Sequence, residues 1–387
     1  MANGTGKPLR VLHLASFAGN IGDLANHAGA RHLWRGLGRS LDITELEIRE
    51  FYWKQRSFDD AFIEWANSFD LFLVGGGNYF ELWVEHSATG MSIDITPERL
   101  ARLTVATVFY SLGADIGQGY SPVTQSRFRT FMDHVLGHPG FFVCVRNDGS
   151  SAALEQVLGS SYASQVPVMP DGGFWAGEAL GMVAQQGAGT GPLIGINIAG
   201  DMLERRFEEK AAAERFLPAL ARSVENILEG HSGLRIVLFP HIWRDVQLIS
   251  GLLPHIKDPY LRRRIRIAAL DPTAAGLPEF LQEYSRCQLI LGMRFHANVC
   301  PIGMGVPAVG LYNYPQIELL YGELGLADRI IDVRKEGFST RIEAEVQRHL
   351  QAPQTAVDQT GRALAGVRAQ AHGTLARLGG WLDQVLP

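Results

Sequence analysis

Short apolar runs alternate with stretches of helical period through most of this chain, and that pattern leaves room for little except parallel β/α units. Candidate strands in the first half are residues 10–16, 71–74, 105–110 and 141–145, with helices such as 24–37 and 122–136 between them. The pattern lapses over 177–192, where Ala184-Gln185-Gln186-Gly187-Ala188-Gly189-Thr190-Gly191 reads as a linker. It then restarts, with strands at 193–198, 235–239, 265–268, 288–291 and 308–311 and helices at 211–228 and 277–287. Residues 356–386 read as one or two amphipathic helices, broken near Gly379-Gly380. The halves match as a scheme, without an internal repeat. The expected fold class is α/β, two Rossmann-like lobes with an interdomain cleft and a C-terminal helical segment. The expected boundaries are an N-terminal lobe 1–178, a linker 179–191, a C-terminal lobe 192–352, and final helices 353–387 that can pack back on the first lobe.

Composition agrees with two domains. At 387 residues the chain exceeds one ordinary core, and 46% hydrophobic with 19% charged residues is a globular balance. A net charge of −5 gives no pull toward nucleic acid. No window offers the roughly 18 uncharged apolar residues of a membrane span. The polar start runs directly into Val11-Leu12-His13-Leu14, a first buried strand rather than a signal peptide. Cys144, Cys287 and Cys300 form no Cys-x-x-Cys pair, so neither a disulfide framework nor a thiolate zinc site is readable. Each reads as a buried small hydrophobe in a reducing, cytoplasmic compartment.

Open parallel sheets bind ligands beyond the carboxyl ends of their strands, so the loops there are the candidates. In Ser16-Phe17-Ala18-Gly19-Asn20-Ile21-Gly22-Asp23, Asn20 and Gly22 flank a helix N-terminus that can face an anion, and Asp23 is either a cap or an acid–base group. Gly75-Gly76-Gly77-Asn78 follows an apolar strand; a ligand lies against its bare backbone, or a neighbouring segment packs there. Arg146 leaves the strand 141–145 and either binds an anion or anchors the following helix through its acids. Asp171, beside Gly172-Gly173, is a turn aspartate or a catalytic one.

In the second half, Asn197 and Asp201 follow the strand 193–198. His241 and Asp245 are four apart, so one helical turn brings them to one face, short of a metal site. The strongest constellation is Gly292-Met293-Arg294-Phe295-His296, between a strand and a helix over 297–304. In an extended segment Arg294 and His296 point to one side, gathering a guanidinium, an imidazole and a helix N-terminus where an anionic substrate can sit. The alternative is that Arg294 pairs with an acid between domains. The basic run Leu261-Arg262-Arg263-Arg264-Ile265-Arg266 reads as a solvated helix end, with docking on anionic lipid as the lesser reading.

Taken in order, these loops resemble the polysaccharide pyruvyl transferase family over nearly the whole chain. The matching residues are Asn20-Ile21-Gly22-Asp23, Gly75-Gly76-Gly77, Val145-Arg146 with Ser150, Pro170-Asp171, and Arg294-Phe295-His296 through Gly305-Val306-Pro307 to Tyr312 and Leu324-Gly325-Leu326. Three positions depart: the family's Arg-Asp pair reads Arg146-Asn147, its Asp-Pro pair Asp171-Gly172, and a lysine after Tyr312 is Gln316. The resemblance implies a GT-B-like fold and transfer of pyruvate from phosphoenolpyruvate to two hydroxyls of a sugar, forming a cyclic ketal, as in exopolysaccharide biosynthesis. It implies that Arg294 and His296 belong to the donor site of the C-terminal lobe, with the acceptor on the N-terminal side. Phosphoenolpyruvate is then a substrate, and no cofactor or metal is expected.

On that reading Arg294 clamps donor charge, His296 is the acid, and Asp23, Asp171 or His241 is the base. Asn20, Gly22, Gly75, Gly76, Gly77, Asn78, Arg146, Asn197, Tyr312 and Gln316 are the expected substrate contacts. The expected partner is a saccharide or lipid-linked oligosaccharide acceptor, the latter met at the inner membrane surface. Residues 79–96, with Trp83, Glu85 and His86, either shape the acceptor pocket or pack at the lobe interface. Rival functions are a glycosyltransferase with a nucleotide-sugar donor and a glycan-binding protein without catalysis.

Overall fold

The computed structural model describes residues 7–185, 191–201, 206–207 and 210–386. By contacts the chain divides into two units. The first comprises residues up to Phe17, Ala30–Gly172 and the chain from Val367 on; the second comprises Ala18–Gly29 and Gly173–Gly366. Residues 186–190 of the expected linker lie outside the described residues.

The first unit contains β1 (Leu9–Ala15), β2 (Leu41–Glu47), β3 (Leu71–Gly75), β4 (Phe80–Glu81), β5 (Ala106–Leu112), β6 (Ala114–Asp115) and β7 (Phe141–Val145). Five of them form a parallel sheet in the order β2-β1-β3-β5-β7, while β4 pairs with β6. The central strands β3 and β5 are buried throughout, which is why they read as unbroken apolar runs. Edge strand β2, Leu-Asp-Ile-Thr-Glu-Leu-Glu, is half exposed, and its acids hid it from a hydrophobicity pattern. The helix Pro122–Gly137 starts at a Ser121/Thr124 capping box and buries Phe128, Phe131 and Met132 against the sheet, where Phe80 and Phe109 meet them edge-on.

The second unit is one parallel sheet of β8 (Leu193–Asn197), β9 (Arg235–Leu238), β10 (Ile265–Ile267), β11 (Leu289–Gly292), β12 (Ala308–Tyr312) and β13 (Ile330–Asp332). Its order is β10-β9-β8-β11-β12-β13, with the strand order reversing between β8 and β11. In the first sheet the reversal lies between β1 and β3. Each unit is therefore a Rossmann-like sheet, and the loops that leave the strands at these reversals are the places where such sheets bind ligands.

Two expectations are corrected. The C-terminal segment is one helix, Pro353–Val385, that continues through Gly379-Gly380. The two glycines cost roughly 1 kcal/mol each, but Leu378 and Leu382 on either side are buried. Nearby, Trp381 Nε1 donates to the Pro139 carbonyl at 2.8 Å and Thr374 Oγ1 to that of Val168 at 2.6 Å. The helix after β11 is Phe295–Gly303, starting two residues earlier than expected, so Arg294 and His296 do not share an extended segment.

The triple glycine after β3 is explained by packing within the first unit. A Cβ on Gly75 would lie 2.2 Å from the Tyr110 carbonyl oxygen, and one on Gly77 would lie 2.3 Å from the Tyr79 ring. Gly76 adopts a φ of 83°, and His13 Nε2 meets the Gly75 carbonyl at 3.1 Å. Gly75→Ala is expected to destabilise the protein by about 1–3 kcal/mol through the forced backbone shift. Denaturant unfolding checks this; a change within about 0.5 kcal/mol would mean that the strand end yields freely.

Candidate functional site

In the second unit, Asn197 closes β8 and ties three strand ends together. Its Oδ1 accepts the Arg294 amide at 2.9 Å, its Nδ2 donates to the Phe239 carbonyl at 2.8 Å, and its own carbonyl accepts the Met293 amide. Arg294 occupies the N-cap of the helix Phe295–Gly303 in an extended conformation. The turn is held from behind by Asn298, whose Nδ2 donates to the carbonyls of Gly292 and Arg294 while its Oδ1 accepts the Tyr321 hydroxyl.

The Arg294 guanidinium is fixed by two carboxylates. Nε and Nη2 form a fork on Asp245 at 2.7 and 2.6 Å, and Nη2 also reaches Asp201 at 2.6 Å. Among the described residues its Nη1 has no hydrogen-bond partner. Asp245 is fully buried and accepts three backbone amides as well, from Gly200, His241 and Ile242. Five donors on one carboxylate satisfy a buried charge that would otherwise be very costly. Asp201 takes a second cation, Arg206, at 3.0 Å, and that guanidinium lies over the Tyr314 ring. Burial pushes the Asp201 carboxyl up, but Arg294 and Arg206 beside it more than offset this and hold it below the ordinary range. The acids that pair with Arg294 thus lie in its own unit, not in the other lobe.

His296 sits in the first turn of the helix, nearly buried. The backbone at Gly22 lies directly against its ring: a Cβ there would come within 2.4 Å of Nδ1. Glycine is required at that position. The Ile21 amide donates to the His241 carbonyl, and Asn20 caps its own helix (Ile21–Arg35) through the Gly22 amide at 2.9 Å. The structure thus brings Asn20, Gly22, His241, Arg294 and His296 into one neighbourhood. Asp23 lies in the first turn of the same helix.

His241 is buried, with Nε2 2.7 Å from the Tyr284 hydroxyl and Nδ1 without a partner among the described residues. Its backbone, not its ring, meets Asp245, so the expected shared face is replaced by a capping contact at the start of the helix Trp243–Leu252. Burial, with Arg294 and His296 adding, holds the imidazole pKa well below its ordinary value. At the end of β12, the Tyr312 ring carries the Arg334 guanidinium at 4.5 Å, while the buried Asn313 amide has no partner among the described residues for either its oxygen or its nitrogen. Gln316 lies in the first turn of the helix Pro315–Glu323.

The remaining candidates lie in the first unit. Arg146 forks onto Asp148 at 2.8 and 2.6 Å and reaches Asp171 at 3.4 Å, all three buried. Asp148 also accepts Ser150 Oγ at the start of the next helix, so Arg146 anchors that helix through its acids. The carboxylate absent at Asn147 is supplied one residue later, and Asn147 Oδ1 accepts the Asp171 amide instead. Asn78 Nδ2 donates to Asp115 at 3.2 Å. Among the described residues no group of three or more His, Cys, Asp or Glu side chains could hold a metal ion.

Sequence reasoning passed over Asp245, Asn298 and Asn313 as site residues. Asp245 carried one local signal, an acid in the first turn after Ile242, which capping alone accounts for. Two tests follow. Asp245→Asn leaves Arg294 a buried charge with half its partners weakened and is expected to cost several kcal/mol, about 3–5 for a broken buried pair. Adding Arg294→Gln should recover part of that loss, and strictly additive losses in a double-mutant cycle would refute the coupling. The folded state keeps His241 neutral where an unfolded imidazole takes up a proton below about pH 6.5, so stability falls as pH drops through that value. His134 and His349 are shifted in the same direction. His241→Gln should therefore lose melting temperature less steeply than the parent from about pH 7 to pH 5, and an equal slope contradicts this.

Comparison with known proteins places this geometry. A search among curated proteins finds no match. Among solved structures, the chain is similar to a UDP-GlcNAc 2-epimerase from Neisseria meningitidis bound to UDP-GlcNAc. The TM-score is 0.56 at 10% identity, over 96% of this chain and 99% of that one. It is also similar to a glycosyltransferase from Rickettsia africae, with a TM-score of 0.54 at 10% identity over 98% and 99% of the two chains. At such identity the likeness shows the fold alone, which is GT-B-like. No helix among the described residues is long and apolar enough to cross a membrane. The family model for polysaccharide pyruvyl transferase matches residues 20–314, from the Asn20 turn to Tyr314 and across both sheets, and this chain belongs to that family.

Proposed function

We propose that the protein transfers the pyruvyl group of phosphoenolpyruvate to two hydroxyls of a sugar in a glycan or glycan precursor, forming a cyclic ketal. The observation that carries the reading is the Arg294–His296 turn. There a guanidinium is locked along one edge by Asp245 and Asp201, with Nη1 left for a ligand, beside an imidazole in a helix's first turn. The donor's carboxylate and phosphate call for fixed cations and oriented N–H groups, since preorganised electrostatics is usually the largest catalytic contribution.

Arg294 Nη1 holds a donor oxygen. His296 gives a proton to the methylene carbon, and the double-bond electrons form the new C–H bond. The resulting oxocarbenium-like carbon is attacked by one sugar hydroxyl, which loses its proton to a base. The second hydroxyl then displaces phosphate, which leaves with the C–O bonding electrons and takes up that hydroxyl's proton. His241, neutral near pH 7 with an open Nδ1, is a base candidate in the same unit. Asp171 is fully buried against Arg146, and Asp23 is the remaining carboxylate candidate. The reaction needs no resident cofactor. The acceptor is a saccharide, free or lipid-linked, and the cytoplasmic side of a membrane is where a lipid-linked one would be met.

His296→Gln keeps a polar side chain against Gly22 and is expected to lower phosphoenolpyruvate-dependent phosphate release by about 10²–10⁴-fold, with thermal stability retained. Undiminished release would sink the assignment. The similar epimerase from Neisseria meningitidis is bound to UDP-GlcNAc, so the competing donor is a nucleotide sugar. Thermal stabilisation by phosphoenolpyruvate, and none by UDP-GlcNAc, separates the two donors.

A further inference from the structure

The first unit holds a cavity of about 430 Å³ that the donor chemistry does not use. It lies in the chain that follows the carboxyl ends of β2 and β3, where parallel sheets receive ligands. Phe51, Tyr52 and Phe58 line it on the β2 side, and Glu81, His86 and Asp94 on the β3 side. A second hollow of about 420 Å³ adjoins it across the segment Lys54, Arg56 and Ser57, which borders both. Each volume falls within the roughly 300–1,000 Å³ of small-molecule sites.

The chemistry of the walls narrows the occupant. Tyr52 lines the hollow with its hydroxyl turned toward Ser92, yet the residue is 42% exposed and so keeps part of its ring open to solvent. Lys54, two residues on, has a φ of 59°, a left-handed backbone that a non-glycine residue adopts at a local cost. Arg56 has its Nε on Glu50 at 2.6 Å and its guanidinium over Trp65. Glu81 accepts the Ser92 hydroxyl, and burial, with Asp115 behind it, pushes its carboxyl pKa up to about 7. The hollow therefore offers carboxyl and imidazole hydrogen-bonding groups beside aromatic faces, with the acids Glu81 and Asp94 set against the cations Lys54 and Arg56. That lining holds no surplus of positive charge for a phosphate or carboxylate ligand; a neutral polyhydroxylated ring finds both a surface to stack on and acceptors for its hydroxyls.

We propose that this groove binds the neutral sugar units of a glycan, with Tyr52 as the stacking platform and Glu81 as a hydroxyl acceptor. Its role as the acceptor site rests on the pyruvyl-transfer reading; saccharide binding itself does not. The two adjoining hollows give room for more than one ring, which suits an oligosaccharide better than a monosaccharide.

Saturation-transfer NMR on the full chain provides the test, with methyl β-galactoside, methyl β-glucoside, methyl β-mannoside, lactose and cellobiose as probes. At least one probe should receive saturation. Tyr52→Ala should weaken its binding by about five-fold or more, and Tyr52→Phe should retain it. Glu81→Gln should weaken binding without lowering the melting temperature. Transfer unaffected by Tyr52→Ala, or no transfer to any probe, overturns the proposal. Phosphate release from phosphoenolpyruvate, measured with the same sugars, keeps the two readings apart. Sugar binding that depends on Tyr52 without phosphate release leaves the groove standing and removes pyruvyl transfer. Sugar-stimulated release indifferent to Tyr52→Ala does the reverse.

Discussion

The buried carboxylate of Asp245 carries the second unit's ligand-facing end. It accepts from the amides of Gly200, His241 and Ile242 and from both ends of the Arg294 fork, so one side chain joins the loops after β8, β9 and β11. Asn197 makes the same three-way connection one layer below, through backbone groups. These loops leave three strands that pair side by side, β9, β8 and β11, and the ladder between them ends before the loop tips. Polar side chains supply the rigidity beyond it. A buried ion pair is a poor source of net stability, but a fully satisfied one fixes geometry, which is what an anion site needs.

The fold was legible wherever burial was complete on both faces of a strand. β3, β5, β8 and β11 are buried from end to end and read as strands without help. Edge strand β2 has Asp42, Glu45 and Glu47 interspersed among its apolar residues, and β13 has three residues; neither offers an apolar run to count. The Gly379-Gly380 break failed for the converse reason. Local propensity disfavours a helix there, yet tertiary contacts of Leu378, Trp381 and Leu382 maintain it.

At the site, Arg294 and His296 were visible because a strand-to-helix turn rarely holds both types for packing alone. Their geometry was not. Phe295 already begins the helix, so the two side chains diverge, and the partner that orients Arg294 lies 49 residues away in sequence. No local pattern reports such a pairing. Arg146 shows the same limit: its carboxylate comes from Asp148, one position beyond where the family pattern looks for it. The glycines were read correctly as close-approach positions but not by what. Tyr110 and Tyr79 meet those at 75 and 77, whereas the one at 22 meets His296 and so bears on the chemistry.

Charge balance around Arg294 explains how such a centre can remain ready for an anion without collapsing in its absence. Among the described residues Arg294 and Arg206 face Asp201 and Asp245, two cations against two anions, so these charges balance. Each arginine still has an N–H group outside these pairs among the described residues: Nη1 of Arg294, and the buried Nε of Arg206. On the proposed reading, an arriving carboxylate or phosphate meets donors already fixed in direction, and little reorganisation is left for the reaction step. The acids that fix them also repel the anion, and the partial positive charge of the helix N-terminus beside His296 opposes that repulsion. Specificity then follows from the same arrangement. A ligand with a single, diffuse negative charge gains too little from two narrow N–H directions to overcome Asp201 and Asp245, whereas one with localised oxyanions at both ends can use both.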